Sequence, residues 1–230
     1  MKKILRIIGI IFIGLFVLAA VLGVVAEKYD KKIGPKQAFY FLNSSDEDRT
    51  ILFYPSTFSD EEMLNNEAWY EFNTKPGKTT FGKIFQNNYQ YKIISSDSQK
   101  TIRHIRGFKV LENQEEDSYK YIYIDLGSQS YIALVNVNAY YGGGEIAQSM
   151  AAAVGSNADA PYIYKLYDGS KPIQLPDLIY TRDTLVLPGD KFPNKISYSE
   201  LIYTLVAVPS TVKTVQEAQT YAVDYIGSIW

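Results

Sequence analysis

The chain has 230 residues, with 23 lysines and arginines, 25 aspartates and glutamates, one histidine and no cysteine. The lack of cysteine excludes disulfides, thiolate metal sites, iron–sulfur clusters and a cysteine nucleophile, and a single histidine excludes a multi-histidine metal site within one chain. With 47% hydrophobic residues, the composition is that of a folded protein, neither disordered nor polytopic. We expect no cofactor and no metal site.

The first 26 residues predict a transmembrane signal anchor. Lys2, Lys3 and Arg6 precede an uncharged apolar run over 7–26, which charged residues then end. As a helix, this run would span roughly 30 Å, the thickness of the hydrocarbon layer, and would contact membrane lipid. A cleaved signal peptide is the alternative, because 24–26 is a passable cleavage site, but the apolar run is longer than such peptides usually have.

The layout of the front segment also predicts a location. A basic head before an apolar run favours a cytoplasmic N-terminus with the body outside, and secretion is the alternative. Residues 27–36 form a predicted polar stalk, and 37–230 a predicted exported domain. All 25 acidic residues follow residue 26. The body therefore lacks the basic face expected for nucleic-acid binding.

Strands and a helix are predicted after the stalk. Aromatic and β-branched runs predict strands over 38–42 and 50–54, as a hairpin or a pair. Ser59 and Glu62 have capping-box spacing, which predicts a helix over 60–72.

The middle of the chain predicts an antiparallel meander of four strands. Strand-like runs cover 89–95, 102–112, 118–126 and 130–141, and the short joints between them leave no room for parallel crossovers. A two-residue turn at 127–128 would place two apolar rows on one core-facing side of the sheet. These rows are Ile122, Ile124 and Leu126, and Tyr131, Ala133, Val135 and Val137.

The last third of the chain predicts helices around a second hairpin. Small residues predict a helix over 145–154, and 162–167 with 172–175 suggest the hairpin. Ser197 and Glu200 predict a helix that Pro209 ends, and apolar spacing predicts a last helix over 211–226. The predicted fold class is α+β: an N-terminal transmembrane helix, then an antiparallel sheet of about four strands with flanking hairpins, packed with three to four helices.

Tyrosines supply the candidate binding residues. Tyr119, Tyr121 and Tyr123 alternate along one strand, so they form a row on the face opposite the core. Such a row either binds a partner or packs under a helix. Tyr140 and Tyr141, which precede a glycine run, are further candidates.

The glycine run and three other motifs favour structural roles. Gly142, Gly143 and Gly144 could cradle a phosphate, but Glu145 follows and no Gly-Lys-Ser/Thr is present, so a sharp turn is favoured. His104 has basic neighbours and no matching serine motif. The acidic clusters lack calcium-loop spacing, and Asn43 begins a short glycosylation sequon.

No catalytic set emerges, so binding is favoured over catalysis. We expect a membrane-anchored extracytoplasmic binding or structural module of the cell envelope that contacts a protein or an envelope component. The alternatives are an exported hydrolase using carboxylate or serine chemistry, and a secreted protein with a cleaved signal peptide.

Overall fold

The structure is a computed structural model that describes residues 36–110, 121–127, 131–175, 183–197 and 200–230. The strands are β1 Lys36–Leu42, β2 Arg49–Pro55, β3 Tyr70–Thr74, β4 Thr79–Phe85, β5 Asn88–Ser95, β6 Thr101–Lys109, β7 Tyr121–Asp125, β8 Tyr131–Asn136, β9 Tyr162–Asp168, β10 Ile173–Gln174, β11 Thr184–Val186 and β12 Ile202–Val208. The α-helices are α1 Asp60–Asn65, α2 Glu145–Ala153 and α3 Val215–Ile229, and Asn138–Tyr141 forms a 3₁₀ turn.

The strands form three four-stranded sheets. Sheet I has the order β3-β2-β5-β6 and is antiparallel throughout. Sheet II has the order β10-β7-β1-β4, in which β1 and β7 run parallel. Sheet III has the order β11-β12-β8-β9, in which β11 and β12 run parallel.

Sheets I and II pack face to face around an aromatic core. Alternate residues of sheet II point toward sheet I, so Phe39 and Phe41 lie on the same face as their partners Ile122 and Ile124. Phe53 of β2 lies opposite them, and its ring centroid is 5.5 Å from that of Tyr91. This packing buries one face of sheet II.

The other face of sheet II packs against sheet III, and α3 covers the far side of sheet III. Leu42 and Tyr123 share a buried cluster with Leu205 of β12. On the far side, Val135 of β8 shares a cluster with Ala222 of α3. The layers therefore follow the order sheet I, sheet II, sheet III, α3, and sheet II is buried on both faces.

Two helices begin at capping boxes. Glu62 N donates to Ser59 Oγ at 3.2 Å, and Ser59 N donates to Glu62 Oε2 at 2.7 Å, as the sequence predicted. However, α1 ends at Asn65 rather than at residue 72, because β3 pairs with β2 and Phe72 joins the aromatic core. Thr214 and Glu217 form a second capping box, which begins α3.

The predicted α+β fold class is wrong, because the described chain is mostly β-sheet. The hairpin of β5 and β6 matches the predicted meander. The strand β7, in contrast, pairs parallel with β1, and β8 lies in sheet III. Residue 127 therefore belongs to a link between sheets rather than to a hairpin turn, and the two apolar rows face different cores.

Two predicted hairpins are also absent from the described residues, because their strands pair with other strands. The strands β1 and β2 belong to different sheets, as do β9 and β10, so neither pair forms a hairpin. The segment predicted as a helix before Pro209 is β12, which pairs with both β8 and β11. Its residues are nearly all buried, and a fully buried strand lacks the alternation that distinguishes it from a helix.

The prediction of a single-pass membrane protein is also corrected. None of the helices in the described ranges is long and apolar enough to cross a membrane. The longest of them, α3, has 15 residues, about 22 Å of helix against the roughly 30 Å of hydrocarbon in a bilayer. The predicted anchor over 7–26 and the stalk up to residue 35 lie outside the described residues. The expected transmembrane architecture and the membrane localisation with the body outside are therefore not retained.

The aromatic core gives the first testable prediction. The fully buried Phe53 has ring centroids of other aromatic residues within 6.4 Å, in both sheet I and sheet II. We expect Phe53→Ala to lower the free energy of unfolding by about 3–5 kcal/mol, because it leaves a cavity that two rigid sheets cannot close. Urea denaturation followed by circular dichroism measures this change.

The matched control is Leu64→Ala, since Leu64 is 81% exposed on α1. We expect this substitution to change the free energy of unfolding by about 0.5 kcal/mol or less. Equal effects of the two substitutions would contradict the packing of sheet I on sheet II.

Candidate ligand-binding cleft

A cavity of about 250 Å³ lies at the β11 edge of sheet III. Its walls come from the ends of β1 and β7, from β12 and the segment after β11, and from α3. Ile132, Leu205 and Ala207 line its apolar part. Because sheet II and α3 pack on opposite faces of sheet III, the cavity extends around the edge of that sheet. We refer to it as the cleft.

The segment over 187–192 forms one wall of the cleft and is fixed by backbone contacts. Thr79 Oγ1 donates to the carbonyl of Pro188 at 3.1 Å, and Asp190 N donates to the carbonyl of Leu187 at 2.9 Å. Gly189 has a φ of 89°, and a Cβ there would lie 2.7 Å from Lys78 Cδ. The left-handed backbone conformation therefore favours glycine at this position.

Aromatic side chains line a second, wider recess of about 670 Å³ next to the cleft, which shares Phe192, Tyr225 and Ile229 with it. The ring of Trp230 stacks on Tyr140 with centroids 4.5 Å apart, and Phe192 lies 5.1 Å away. We call Tyr140, Tyr141, Phe192, Tyr225 and Trp230 the aromatic rim. It offers large apolar surfaces beside polar tips, which is typical of a ligand site.

A buried carboxyl group lies in the polar part of the cleft. Asp125 ends β7, pairs with Leu42 of β1, and is 1% exposed. Its Oδ1 accepts the backbone N–H of Ser44 at 3.3 Å and that of Gly127 at 3.2 Å. The guanidinium of Arg103, from sheet I, donates to the backbone carbonyls of Asp125 and Gly169. A Cβ at Gly127 would overlap the hydroxyl of Ser44, so the Ser44 side chain would have to move.

The surroundings of Asp125 disfavour its charged form. Burial raises the pKa of the Asp125 carboxyl, although the Ser44 hydroxyl, the Gly127 N–H and the Arg103 charge all act to lower it. Its second oxygen, Oδ2, is buried and accepts no hydrogen bond within the described residues. Such an atom loses the hydrogen bonds that water would give it, which costs free energy in the folded state.

Asn43 orders the loop after β1, in which the Ser44 N–H donates to Asp125. Its amide Nδ2 donates to the carbonyls of Glu47 and Thr74, both at 2.8 Å, and its Oδ1 accepts the Ser45 hydroxyl at 2.6 Å. Asn43 is 2% exposed. The sequon at Asn43 is therefore closed to glycosylation in the folded chain, because its nitrogen is buried and both its donors are used.

The predicted tyrosine row lies inside the molecule. Tyr123 is buried between sheets II and III, and Tyr121 is half-buried beside it. Tyr40 of the neighbouring strand lies 5.2 Å from both rings. A sheet, rather than the helix considered from the sequence, covers this face. Tyr119 lies outside the described residues.

Of the other predicted site residues, only Tyr140 and Tyr141 line the second recess. Tyr140 and Tyr141 belong to the aromatic rim, and the Tyr141 hydroxyl donates to the carbonyl of Pro193 at 2.7 Å. Gly142 and Gly143 form the turn after these tyrosines, and Gly144 is the N-cap of α2. The predicted positions at 140 and 141 therefore coincide with a wall of the candidate site.

Sequence reasoning missed Asp125, Phe192 and Trp230. A signal for Asp125 was present, because it is an acid at the end of an otherwise apolar strand, where a charge is expensive to bury. Phe192 follows Pro188 in an irregular segment, and Trp230 lies at the far end of α3, so no periodic pattern joins them.

The one histidine of the chain does not line the cleft. His104 lies on the outer face of sheet I, where its Nε2 is 3.0 Å from Gln90 Oε1. Burial and the charges of Lys92 and Arg106 lower its pKa. In the part of the chain that the structure describes, no three histidine, aspartate or glutamate side chains meet in a metal-binding group.

The buried carboxyl predicts a pH-dependent stability. Because its pKa is raised in the folded state, the Asp125 carboxyl holds its proton more tightly when the chain is folded. Its contribution to stability is therefore complete below the unfolded-state pKa of about 3.9 and is lost as the pH rises through the folded-state pKa. Asp125→Asn removes this loss. We expect the free energy of unfolding of the variant, minus that of the unmodified chain, to increase between about pH 4 and pH 7. Urea denaturation at several pH values measures the difference.

The same substitution at Asp97, an exposed acid in the turn between β5 and β6, controls for the loss of one negative charge. A difference that decreases with rising pH would contradict the assignment, because it would mean that the donors around Asp125 outweigh its burial.

Comparison of the chain with protein-family models, with characterised proteins and with solved structures found no match. No function follows from resemblance, so the geometry of the cleft is the basis for a functional proposal. Its features are an apolar cavity, an aromatic rim and one buried carboxyl group.

Proposed function

We propose that this protein is a binding module whose cleft holds a small ligand with an apolar body. The proposal is supported chiefly by the cavity of about 250 Å³, which combines apolar walls with a few polar groups. That combination is usual for small-molecule sites, in which apolar surfaces provide affinity and a few polar groups fix the orientation. The cavity suits a compact molecule rather than a flat protein face.

The aromatic rim supports the same proposal. Trp230 is 48% exposed and Tyr225 is 42% exposed, although Tyr225 belongs to α3, which packs on sheet III, and Trp230 is the residue directly after that helix. Exposed aromatic rings beside a cavity can cover the part of a ligand that projects from it, and few rotatable bonds are fixed in doing so.

The positions of the serine, histidine and carboxyl groups favour binding over the alternative of a hydrolase. A serine nucleophile needs an adjacent base. The Ser45 hydroxyl instead donates to Asn43 Oδ1 and to the carbonyl of Glu47, and His104 lies two layers away on sheet I. The carboxyl of Asp125 accepts the backbone N–H groups of Ser44 and Gly127, and the one histidine of the chain, His104, contacts Gln90 instead.

The neutral fluorophore N-phenyl-1-naphthylamine tests the proposal, because its emission rises when it enters an apolar cavity. We expect a saturable rise with the unmodified chain. Ala207 lines the cleft, so Ala207→Trp should fill it and weaken probe binding by about tenfold or more. Fluorescence titration measures both affinities.

The control is Ala153→Trp, which adds the same side chain at an exposed position of α2. It should bind the probe as the unmodified chain does, and circular dichroism checks that both variants fold. Equal binding by the two variants would contradict the assignment of the cleft. Turnover of p-nitrophenyl esters or glycosides that is lost in Asp125→Asn would favour the hydrolase instead.

A further inference from the structure

The cleft and the wider recess beside it share part of their walls. Phe192, Tyr225 and Ile229 line both spaces, and so do Gly189 and Asp190. The cleft has a volume of about 250 Å³ and a largely apolar lining, whereas the recess has about 670 Å³ and is lined mostly by exposed residues. A ligand that is longer than the cleft would therefore extend into the recess.

Three accessible polar side chains line the recess. Asp190, Lys191 and Asn194 are all exposed, so a ligand in the recess can reach them. Within the residues that the structure describes, none of these side chains makes a hydrogen bond or an ion pair. Together they offer a carboxylate that accepts hydrogen bonds, an ammonium that donates them and an amide that does both.

The aromatic rim offers a second kind of contact in the same recess. Tyr140 covers one face of the Trp230 indole with ring planes 14° apart, and 48% of Trp230 remains exposed. Tyr225 is 42% exposed and stacks on Tyr221. The face of an aromatic ring carries partial negative charge, which attracts the partly positive C–H groups on the face of a sugar ring. Exposed rings beside free polar groups therefore suit a ligand ring that has both C–H faces and hydroxyls.

We propose that the cleft and the recess together bind a neutral amphiphile, in which a short alkyl chain is attached to a sugar-like ring with several hydroxyls. The chain lies in the cleft against Leu205 and Ala207, and the ring lies in the recess against Trp230. The inference rests on the proposed function, because it names the polar end of the ligand whose apolar body the cleft holds.

The charges of the recess favour a neutral head group over a charged one. Asp190 and Lys191 are adjacent in the chain and line the same recess. A charged head of either sign is attracted by one of them and repelled by the other, so little net attraction offsets its loss of hydration. A hydroxyl avoids this conflict, since it can donate to the Asp190 carboxylate and accept from the Lys191 ammonium or the Asn194 amide.

Displacement of N-phenyl-1-naphthylamine by four hexyl compounds tests the inference. Hexyl β-D-glucoside carries a sugar ring and 1-hexanol carries only a hydroxyl, whereas hexanoate carries a negative charge and hexylamine a positive one. At about pH 7.5, where both of these are ionised, and below the concentrations at which micelles form, we expect the glucoside to displace the probe at a concentration about tenfold lower than each of the other three.

Substitutions in the recess locate the sugar ring. Trp230 lines the recess but not the cleft, so Trp230→Ala should still bind the probe and 1-hexanol, while the preference for the glucoside over 1-hexanol falls to about threefold or less. Asn194→Ala removes an exposed amide and should lower that preference by about threefold. The matched control is Phe81→Ala, which removes a ring that is 47% exposed and lines neither space, and it should keep the full preference.

The possible results separate the two proposals. Equal displacement by the glucoside and by 1-hexanol from the unmodified chain would overturn the inference and leave the proposed function standing. Stronger displacement by hexanoate or hexylamine would overturn it in favour of a charged head group. An unchanged preference in Asn194→Ala and in Trp230→Ala would overturn the placement of the sugar ring, and Asn194→Ala alone decides this point if Trp230→Ala does not fold. Failure of the probe to bind the unmodified chain would overturn both proposals.

Discussion

Burial of sheet II on both faces is the constraint on which the rest of the structure depends. Phe39 and Phe41 of β1 face sheet I, while Tyr40 and Leu42 of the same strand face sheet III. Because successive side chains of a strand point to opposite faces, one strand can hold two cores together. Loss of either core would leave a large apolar surface in water, so the layers are expected to be stable only together.

The same constraint creates the cleft. The strands β1 and β7 end beside one another, and the loops that follow them must leave the space between two cores. Asn43 orders the first of these loops, and Asp125 begins the second. Burial of a carboxyl group without a full set of donors costs stability, and burial also raises the pKa of Asp125. A cost of this kind at the wall of a cavity suggests a use in ligand binding.

Local signals in the sequence identified many elements but not their partners. The capping box at Ser59 located the start of α1, and the β5–β6 hairpin was predicted from its turn. The predicted end of α1 and the predicted helix at β12 were wrong, because contacts between residues distant in sequence override the local preference there. Of the residues around the candidate site, the sequence pattern singled out Tyr140 and Tyr141 but not Asp125, Phe192 or Trp230.

The sequence by itself determined which segments are apolar and where α1 and α2 begin, because these properties depend on neighbouring residues. Only the tertiary structure decided that β7 pairs with β1, that Tyr123 is buried between two sheets and that Trp230 meets Tyr140. Strand pairing is a choice among segments of similar apolar character. That choice is made by how well whole faces pack against each other, which no local pattern contains.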